Sequence, residues 1–269
     1  MVRIKKPKVI VLRTAGTNCD NETAIAFKMA GGDAELVHIN ELARDEKFLK
    51  DYKILAIPGG FTYGDDISSG KILANEIKYK LKEDLKNFIN SGKLVIGICN
   101  GFQVLVKSGI LPGINSGAIE ATLSFNDSGS FIDKWVNLRT TTDDRRESRA
   151  KPRDKRRTTI CVWTKNLPGA IYLPIAHGEG KFIPRNKDVL NNIKKNAQVV
   201  FRYVDNPNGS IDDIAGICDT TGRVLGMMPH PERHILGTQH PRWTREGLKE
   251  RGDGFMIIKN GVDYVKMRT

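Results

Sequence analysis

The stretch Gly97-Ile98-Cys99-Asn100-Gly101 is the part of the sequence that most narrows the possible folds. It follows the apolar run 94–96 and precedes a segment, 102–107, whose composition suits a helix. A cysteine between a buried strand and a helix, with glycine two residues before and two after, is typical of a nucleophile elbow. Small neighbours let the backbone turn sharply. The start of a helix favours a thiolate, which is the reactive form. We therefore predict that Cys99 is a catalytic nucleophile rather than a buried structural cysteine.

The first half of the chain alternates strand and helix patterns. Apolar runs predict strands at 8–12, 34–39, 53–58 and 94–98, and helical spacing predicts helices at 20–30, capped by Asp20 or Asn21, and at 68–90. This alternation predicts an α/β fold with a parallel sheet that helices cover on both faces. The second half is richer in strands, which we predict at 135–140, 159–162, 170–176, 198–204, 214–218 and 224–227, with a short helix at 188–195.

The catalytic partners of Cys99 are expected at the same edge of the sheet, because sites in parallel sheets form at the carboxyl ends of the strands. The stretch Pro229-His230-Pro231-Glu232 follows the predicted strand at 224–227. A residue before proline is extended, and residues two apart in an extended chain face the same way. Glu232 can therefore hold the imidazole of His230, which predicts a triad of Cys99, His230 and Glu232.

An oxyanion hole needs hydrogen-bond donors next to the nucleophile. The N–H group of Asn100 directly follows Cys99 and is one candidate. The turn Gly59-Gly60-Phe61 follows a predicted strand and supplies a second, because the glycines let the backbone approach a substrate. We assign the second donor to Gly60.

The pattern of charge and the cysteine content of the chain argue against nucleic-acid binding and a metal site. The chain has 43 Lys and Arg against 31 Asp and Glu, a net charge of +12. Part of the excess lies in 145–157, where the lack of aromatic residues favours a solvated loop over an RNA-binding arm. None of the four cysteines forms a CxxC pair, so we expect no metal site. No apolar run reaches the roughly 20 residues that span a bilayer, and no signal peptide is evident, so we expect a cytoplasmic protein without membrane contact.

The motifs together carry a family resemblance. Pro58-Gly59-Gly60, the stretch from Gly97 to Gln103, and His230-Pro231-Glu232 resemble the class I, triad-type glutamine amidotransferases. More narrowly, the chain resembles the glutaminase subunits of phosphoribosylformylglycinamidine synthase, in the motifs Gly16–Asp20, Gly59–Asp65, Leu123–Phe131, Ala176–Phe182 and Gly252–Phe255. Two departures are Asp66-Ile67-Ser68-Ser69, where the family commonly has bulkier residues and an arginine, and the basic stretch near 143–158, which resembles an insertion.

The resemblance implies a fold and a reaction. It implies one flavodoxin-like domain over 1–269, in which Cys99 attacks the carboxamide of L-glutamine to give a glutamyl thioester and ammonia. His230 moves the proton, Glu232 orients His230, and the N–H groups of Gly60 and Asn100 stabilise the oxyanion. The substrate contacts that it implies are Gly59, Phe61, Gln103, Asn126, Phe131 and His177, the last of which can equally brace its loop.

The resemblance also implies partners. Ammonia passes to a large synthetase subunit, which uses ATP and Mg to make formylglycinamidine ribonucleotide in purine biosynthesis, and a small subunit bridges the complex. This chain has no Walker-type phosphate loop, so we expect ATP at the partner and no cofactor in this chain. Three alternatives stay open: a glutaminase for another acceptor synthetase, a cysteine hydrolase of the related protease type, and a non-catalytic or nucleic-acid-binding subunit. The hydrolase needs a histidine close after the cysteine, and none occurs between Cys99 and His177.

Overall fold

The computed structural model describes residues 6–44, 48–113, 118–141 and 160–268. The basic stretch near 143–158, which resembles an insertion in the sequence, lies outside the described residues. The strands, numbered β1 to β11, are Lys8–Arg13, Asp33–His38, Ile54–Ile57, Leu94–Ile98, Ala121–Ser124, Ile132–Thr140, Ala170–His177, Lys181–Pro184, Val199–Tyr203, Ile214–Cys218 and Val224–Met227. The helices, numbered α1 to α8, are Asp20–Met29, Ile39–Arg44, Lys71–Glu76, Lys82–Asn90, Asn100–Lys107, Lys187–Lys195, Trp243–Glu246 and Phe255–Lys266.

One large sheet organises the described part of the chain. Its nine strands lie in the order β2-β1-β3-β4-β11-β10-β9-β6-β7, and β5 pairs with β8 in a separate ribbon. The neighbours from β2 to β11 run parallel, and the strands from β11 onward run antiparallel. The predicted α/β class is confirmed.

The parallel strands form the centre of the core because they are apolar on both faces. Every residue of β3, β4 and β11 is buried, as expected for strands that helices cover on both sides. β4 lies between β3 and β11. The carboxyl ends of these three strands therefore meet at one edge of the sheet, next to the buried core.

Several predicted elements differ from the structure. The long helix at 68–90 begins at Lys71 and is interrupted by a π-helical turn, Ile77–Leu81. Its apolar face is nevertheless mostly buried, at Leu73, Ile77, Leu81, Leu85, Phe88 and Ile89. Neither Asp20 nor Asn21 caps α1, since Cys19 occupies that position. The predicted strand at 159–162 begins outside the described residues, and its described part, 160–162, is not a strand, because Val162–Thr164 is a 3₁₀ turn. The strands β5 and β8 and the helices α2, α7 and α8 were not predicted from the sequence.

The helices are short relative to a membrane. No helix in the described ranges is both long and apolar enough to cross a lipid bilayer.

Candidate active site

The carboxyl ends of β3, β4 and β11 bring the predicted site residues together. Gly59 and Gly60 follow β3, Cys99 follows β4, and His230 follows β11 by two intervening residues. Parallel pairing sets the strand ends level, because Ile57 pairs with Gly97 and Met227 pairs with Ile98. The shared edge that the sequence predicted is therefore present.

Cys99 itself carries the backbone strain of the turn. Its φ of 50° and ψ of −106° lie in a region that residues with a side chain rarely adopt. Gly97 and Gly101 do not adopt the unusual backbone conformation themselves, but they leave room for the close contact between the helix and the sheet. A Cβ on Gly101 would lie 1.9 Å from the carbonyl oxygen of Ile57, and a Cβ on Gly97 would lie 2.5 Å from that of Gly101. The glycines thus let α5 pack directly against the sheet, with Cys99 at its N-terminus.

His230 and Glu232 form the predicted pair, by a different backbone path. Nδ1 of His230 lies 2.6 Å from Oε1 of Glu232, and both residues are buried. His230 is extended, with φ −98° and ψ 91°, as predicted. Glu232, however, lies in a 3₁₀ turn, Pro231–Arg233, rather than in an extended strand. The turn folds the carboxylate back onto the ring, so the predicted contact is present although the extended backbone predicted for Glu232 is not.

The imidazole of His230 faces Cys99 across Gly59. A Cβ on Gly59 would lie 2.7 Å from Cε1 of His230 and 3.4 Å from Cβ of Cys99, so any side chain there would fill the space between them. Burial alone lowers the pKa of His230, but the carboxylate of Glu232 and the nearby thiols of Cys99 and Cys19 raise it well above its ordinary value. The raised pKa favours the protonated form of the imidazole, which suits His230 to accept a proton.

The two predicted oxyanion donors are free to bind a ligand. Within the described residues, neither the N–H of Gly60 nor that of Asn100 donates a hydrogen bond. Asn100 is the first residue of α5, and N–H groups of a first helical turn have no intrahelical partner. Gly60 has a φ of 138°, which residues with a side chain rarely adopt.

Gln103 lies one helical turn after Cys99, and its carboxamide is engaged within the protein. Nε2 donates to the carbonyl oxygen of Glu179 at 2.6 Å, and Oε1 accepts from Nδ2 of Asn100 at 3.0 Å. Oδ1 of Asn100 in turn accepts from the hydroxyl of Thr62 at 2.6 Å. The predicted substrate residue is thus part of a buried polar network that joins α5 to two loops.

Asn126 and His177 brace each other. Oδ1 of Asn126 lies 3.1 Å from Nδ1 of His177, and Nδ2 of Asn126 donates to the carbonyl oxygen of His177 at 2.8 Å. The carbonyl oxygen of the preceding Ala176 lies 3.6 Å from Sγ of Cys99. Burial, and then the charge of the nearby His230, lower the pKa of His177 to about 4. His177 is therefore neutral at neutral pH and both braces its loop and lies close to the site.

Phe61 and Phe131 form an exposed aromatic pair. Their ring centroids are 6.2 Å apart, and about half of each residue is exposed. A Cβ on Gly178 would lie 3.9 Å from the ring of Phe131, on the loop that follows His177. The pair therefore borders the site without lying in its interior.

Cys19 lies next to the catalytic candidates, although the sequence did not single it out. Its Sγ accepts a hydrogen bond from Nη2 of Arg233 at 3.1 Å, and ligand atoms of Cys19, His230 and Glu232 lie within 4.8 Å of one another. Burial raises the pKa of the Cys19 thiol. Cys19 reaches this edge because it follows β1, which lies next to β3 in the sheet, and the sequence does not show this strand order. Such a trio can hold a metal in principle, but the guanidinium of Arg233 on the sulfur opposes a cation, so we assign none.

The sequence of this chain matches a known family over most of its length. A family model described as the CobB/CobQ-like glutamine amidotransferase domain matches residues 6–265. The chain is 45% identical to the phosphoribosylformylglycinamidine synthase subunit PurQ of Dehalococcoides mccartyi, covering 98% of this chain and 99% of that protein. The chain belongs to the PurQ family of glutamine amidotransferases. The PurQ subunit of Methanococcus maripaludis is 41% identical, with 96% of this chain and 97% of that protein covered.

Solved structures agree with this family. The structure of PurLQS from Thermotoga maritima contains a chain that is 30% identical, with a TM-score of 0.73 over 97% of this chain and 100% of that one. A glutamine amidotransferase from the same organism is 14% identical and shares the fold, with a TM-score of 0.54 over 98% of this chain and 100% of that one.

Proposed function

We propose that this chain is the glutaminase subunit of a phosphoribosylformylglycinamidine synthase. It hydrolyses L-glutamine to glutamate and ammonia and passes the ammonia to a synthetase subunit in purine biosynthesis. The observation that carries the proposal is the strained Cys99 facing a buried His230–Glu232 pair, in a chain similar over nearly its whole length to PurQ subunits.

The side chains divide the reaction into two steps. Sγ of Cys99 attacks the side-chain carboxamide carbon of glutamine while His230 accepts the thiol proton. The proton then goes to the departing nitrogen, which leaves as ammonia, and a glutamyl thioester remains on Cys99. Water hydrolyses the thioester, with His230 again as the base, and releases glutamate. Glu232 fixes the ring orientation and stabilises the imidazolium.

The N–H groups of Gly60 and Asn100 stabilise the oxyanion of each tetrahedral intermediate. Their lack of internal partners supports this role, and a single such donor lowers the barrier by roughly 3 kcal/mol. The dipole at the N-terminus of α5 adds to the stabilisation of the negative charge.

The residues around this centre form the glutamine pocket. Gly59 leaves room for the substrate between Cys99 and His230. The rest of the pocket wall consists of the hydrogen-bonded carboxamide of Gln103, the loops that Asn126 and His177 join, and the exposed rings of Phe61 and Phe131.

The ammonia acceptor belongs to a partner. Free ammonia is protonated in water and loses its nucleophilic lone pair, so its transfer requires a docked synthetase. We propose a complex with a PurL-type synthetase and a PurS-type bridging subunit, as the composition of PurLQS from Thermotoga maritima suggests. ATP and Mg act at the synthetase, and this chain contributes no cofactor.

The test is glutamine hydrolysis with and without the synthetase and bridging subunits of the same genome. We expect little activity for the chain alone, full activity in the complex, and formation of the amidine when formylglycinamide ribonucleotide, ATP and Mg are present. Cys99→Ala abolishes hydrolysis. Cys161→Ala is the matched control, because Cys161 is equally buried but lies beside Gly222, at the opposite edge of the sheet.

Two results would contradict the proposal. Hydrolysis that survives Cys99→Ala would remove the nucleophile. Hydrolysis that depends on Cys99 without any amidine product would instead indicate a glutaminase for another acceptor.

A further inference from the structure

Lys107 is an unexpected residue in the nucleophile helix. All eight residues of α5 are buried, and Lys107 is only 7% exposed. A buried ammonium costs several kcal/mol unless it is paired and hydrogen-bonded. Lys107 lies on the same face of α5 as Asn100 and Gln103, because these positions follow the i, i+3, i+7 spacing of one helical face. This face therefore carries three polar side chains although the whole helix is buried.

Lys107 is fully paired by two loops. Its Nζ donates to Oε2 of Glu179 at 3.0 Å, to the carbonyl oxygen of Ser69 at 2.7 Å and to the hydroxyl of Ser68. Oε1 of Glu179 accepts the N–H of Ser69 at 3.0 Å. Glu179 is itself only 8% exposed. The ion pair therefore clamps α5, the loop after β3 and the loop after β7 to one another.

The clamp ends on the proposed substrate residues. The backbone carbonyl of Glu179 holds Nε2 of Gln103, and Asn100 holds the other end of the same carboxamide. Asp65 ties the loop after β3 to Asn100 and to Gly70, at 3.1 and 3.0 Å. The catalytic pair has separate supports, since the N–H of His230 donates to Pro174.

We propose that Lys107 and Glu179 are positioning residues for the substrate glutamine. The ion pair between them fixes the Gln103 carboxamide and the loop 177–180 in the arrangement that binds this substrate. The physical argument is that a buried ion pair contributes little net stability compared with apolar residues of the same size. Its value lies in holding three segments in one arrangement before the substrate arrives. This inference rests on the proposed function.

The test compares Lys107→Met with a matched control, Lys93→Met. Lys93 is partly buried, and its Nζ donates to the backbone carbonyls of Leu49 and Lys50 at 2.7 and 2.8 Å. It precedes β4, at the opposite edge of the sheet from Cys99. In the full synthetase complex we expect Lys107→Met to raise the KM for glutamine about tenfold or more, with a much smaller change in kcat, as for lost substrate binding. Lys93→Met changes the Tm without changing the KM, and Lys107→Arg restores part of the affinity.

The double variant Lys107→Met/Glu179→Gln separates positioning from stability. It leaves no unpaired buried charge, so we expect its Tm to recover relative to Lys107→Met, while the KM stays raised. A KM that recovers together with the Tm overturns the proposal, because the pair would then only stabilise the fold.

Amide hydrogen exchange measures how firmly the two loops are held, and it does so whether or not the chain is a glutaminase. We expect faster exchange in 68–70 and 177–180 for the single and double variants of the chain, and no change there for Lys93→Met. Unchanged exchange in these segments overturns the positioning role. An absence of glutaminase activity in the wild-type complex would instead refute the proposed function and leave the exchange result interpretable.

Discussion

Gly101→Ala tests whether close packing of α5 on β3 creates the nucleophile turn. Helix propensity alone predicts a gain of up to about 1 kcal/mol for Gly→Ala. The structure predicts the opposite sign, because the new Cβ would lie 1.9 Å from the carbonyl oxygen of Ile57. An ordinary carbon–oxygen contact is about 3.3 Å or longer, so α5 must move away from β3 by more than about 1 Å.

We expect Gly101→Ala to lower the free energy of unfolding by about 2 kcal/mol. Overpacking of this kind costs about 1–3 kcal/mol or more, and the obstacle is backbone, which cannot rotate out of the way. For a chain of this size the Tm falls by roughly 4–8 °C. The shift also separates Cys99 from Gly59 and Gly60, so glutaminase activity should fall further than the stability loss explains.

The assay is thermal and urea unfolding, followed by glutamine hydrolysis in the complex. Gly113→Ala is the control, because its Cβ would meet no heavy atom of the described residues within 4 Å, and we expect a change within about 0.5 kcal/mol. A Gly101→Ala protein as stable as the wild type, or more stable, would refute the packing argument.

Three further predictions follow from the site. Glu232→Gln removes the carboxylate that raises the pKa of His230, so kcat should fall at least about 100-fold and the NMR titration of His230 should move to lower pH; an unmoved midpoint contradicts this. Burial raises the pKa of Glu179, but its hydrogen bonds outweigh this and lower the pKa. The ionised carboxylate therefore stabilises the folded state at pH values above its ordinary pKa of about 4.3, and this stabilisation is lost as the pH falls. Urea unfolding between pH 6 and pH 3 should therefore show a steeper acid loss for the wild type than for Glu179→Gln, and parallel curves would exclude the effect. Asn126→Leu leaves three backbone groups without their partner, which should cost about 1–3 kcal/mol for each group that stays buried, measured by the same unfolding; an unchanged midpoint would show that water replaces them.

Local patterns were sufficient to predict candidate reacting groups and the edge of the sheet at which the structure brings them together. A cysteine between an apolar run and a helix, and a histidine between two prolines, have only a few compatible backbone geometries. Parallel strands end at the same edge, so the relation between Gly59, Cys99 and His230 followed from strand assignments alone. The contact of Glu232 was predicted correctly, but the 3₁₀ turn that produces it was not.

Contacts between distant segments could not be predicted in this way. The presence of Cys19 beside His230 depends on the sheet order, in which β1 lies next to β3. The pairing of Lys107 with Glu179 depends on how the loop after β7 packs on α5. No local pattern encodes either contact, because the partners are brought together only when the sheet is complete.

The sequence by itself determined which chemical groups the site contains, since their identity and backbone setting are local properties. The tertiary structure decided how those groups behave. Burial and the neighbouring charges set the pKa of His230, and the packing of α5 on β3 puts the strain on Cys99 itself. Distances and desolvation arise from the whole fold, and so only the folded chain fixes them.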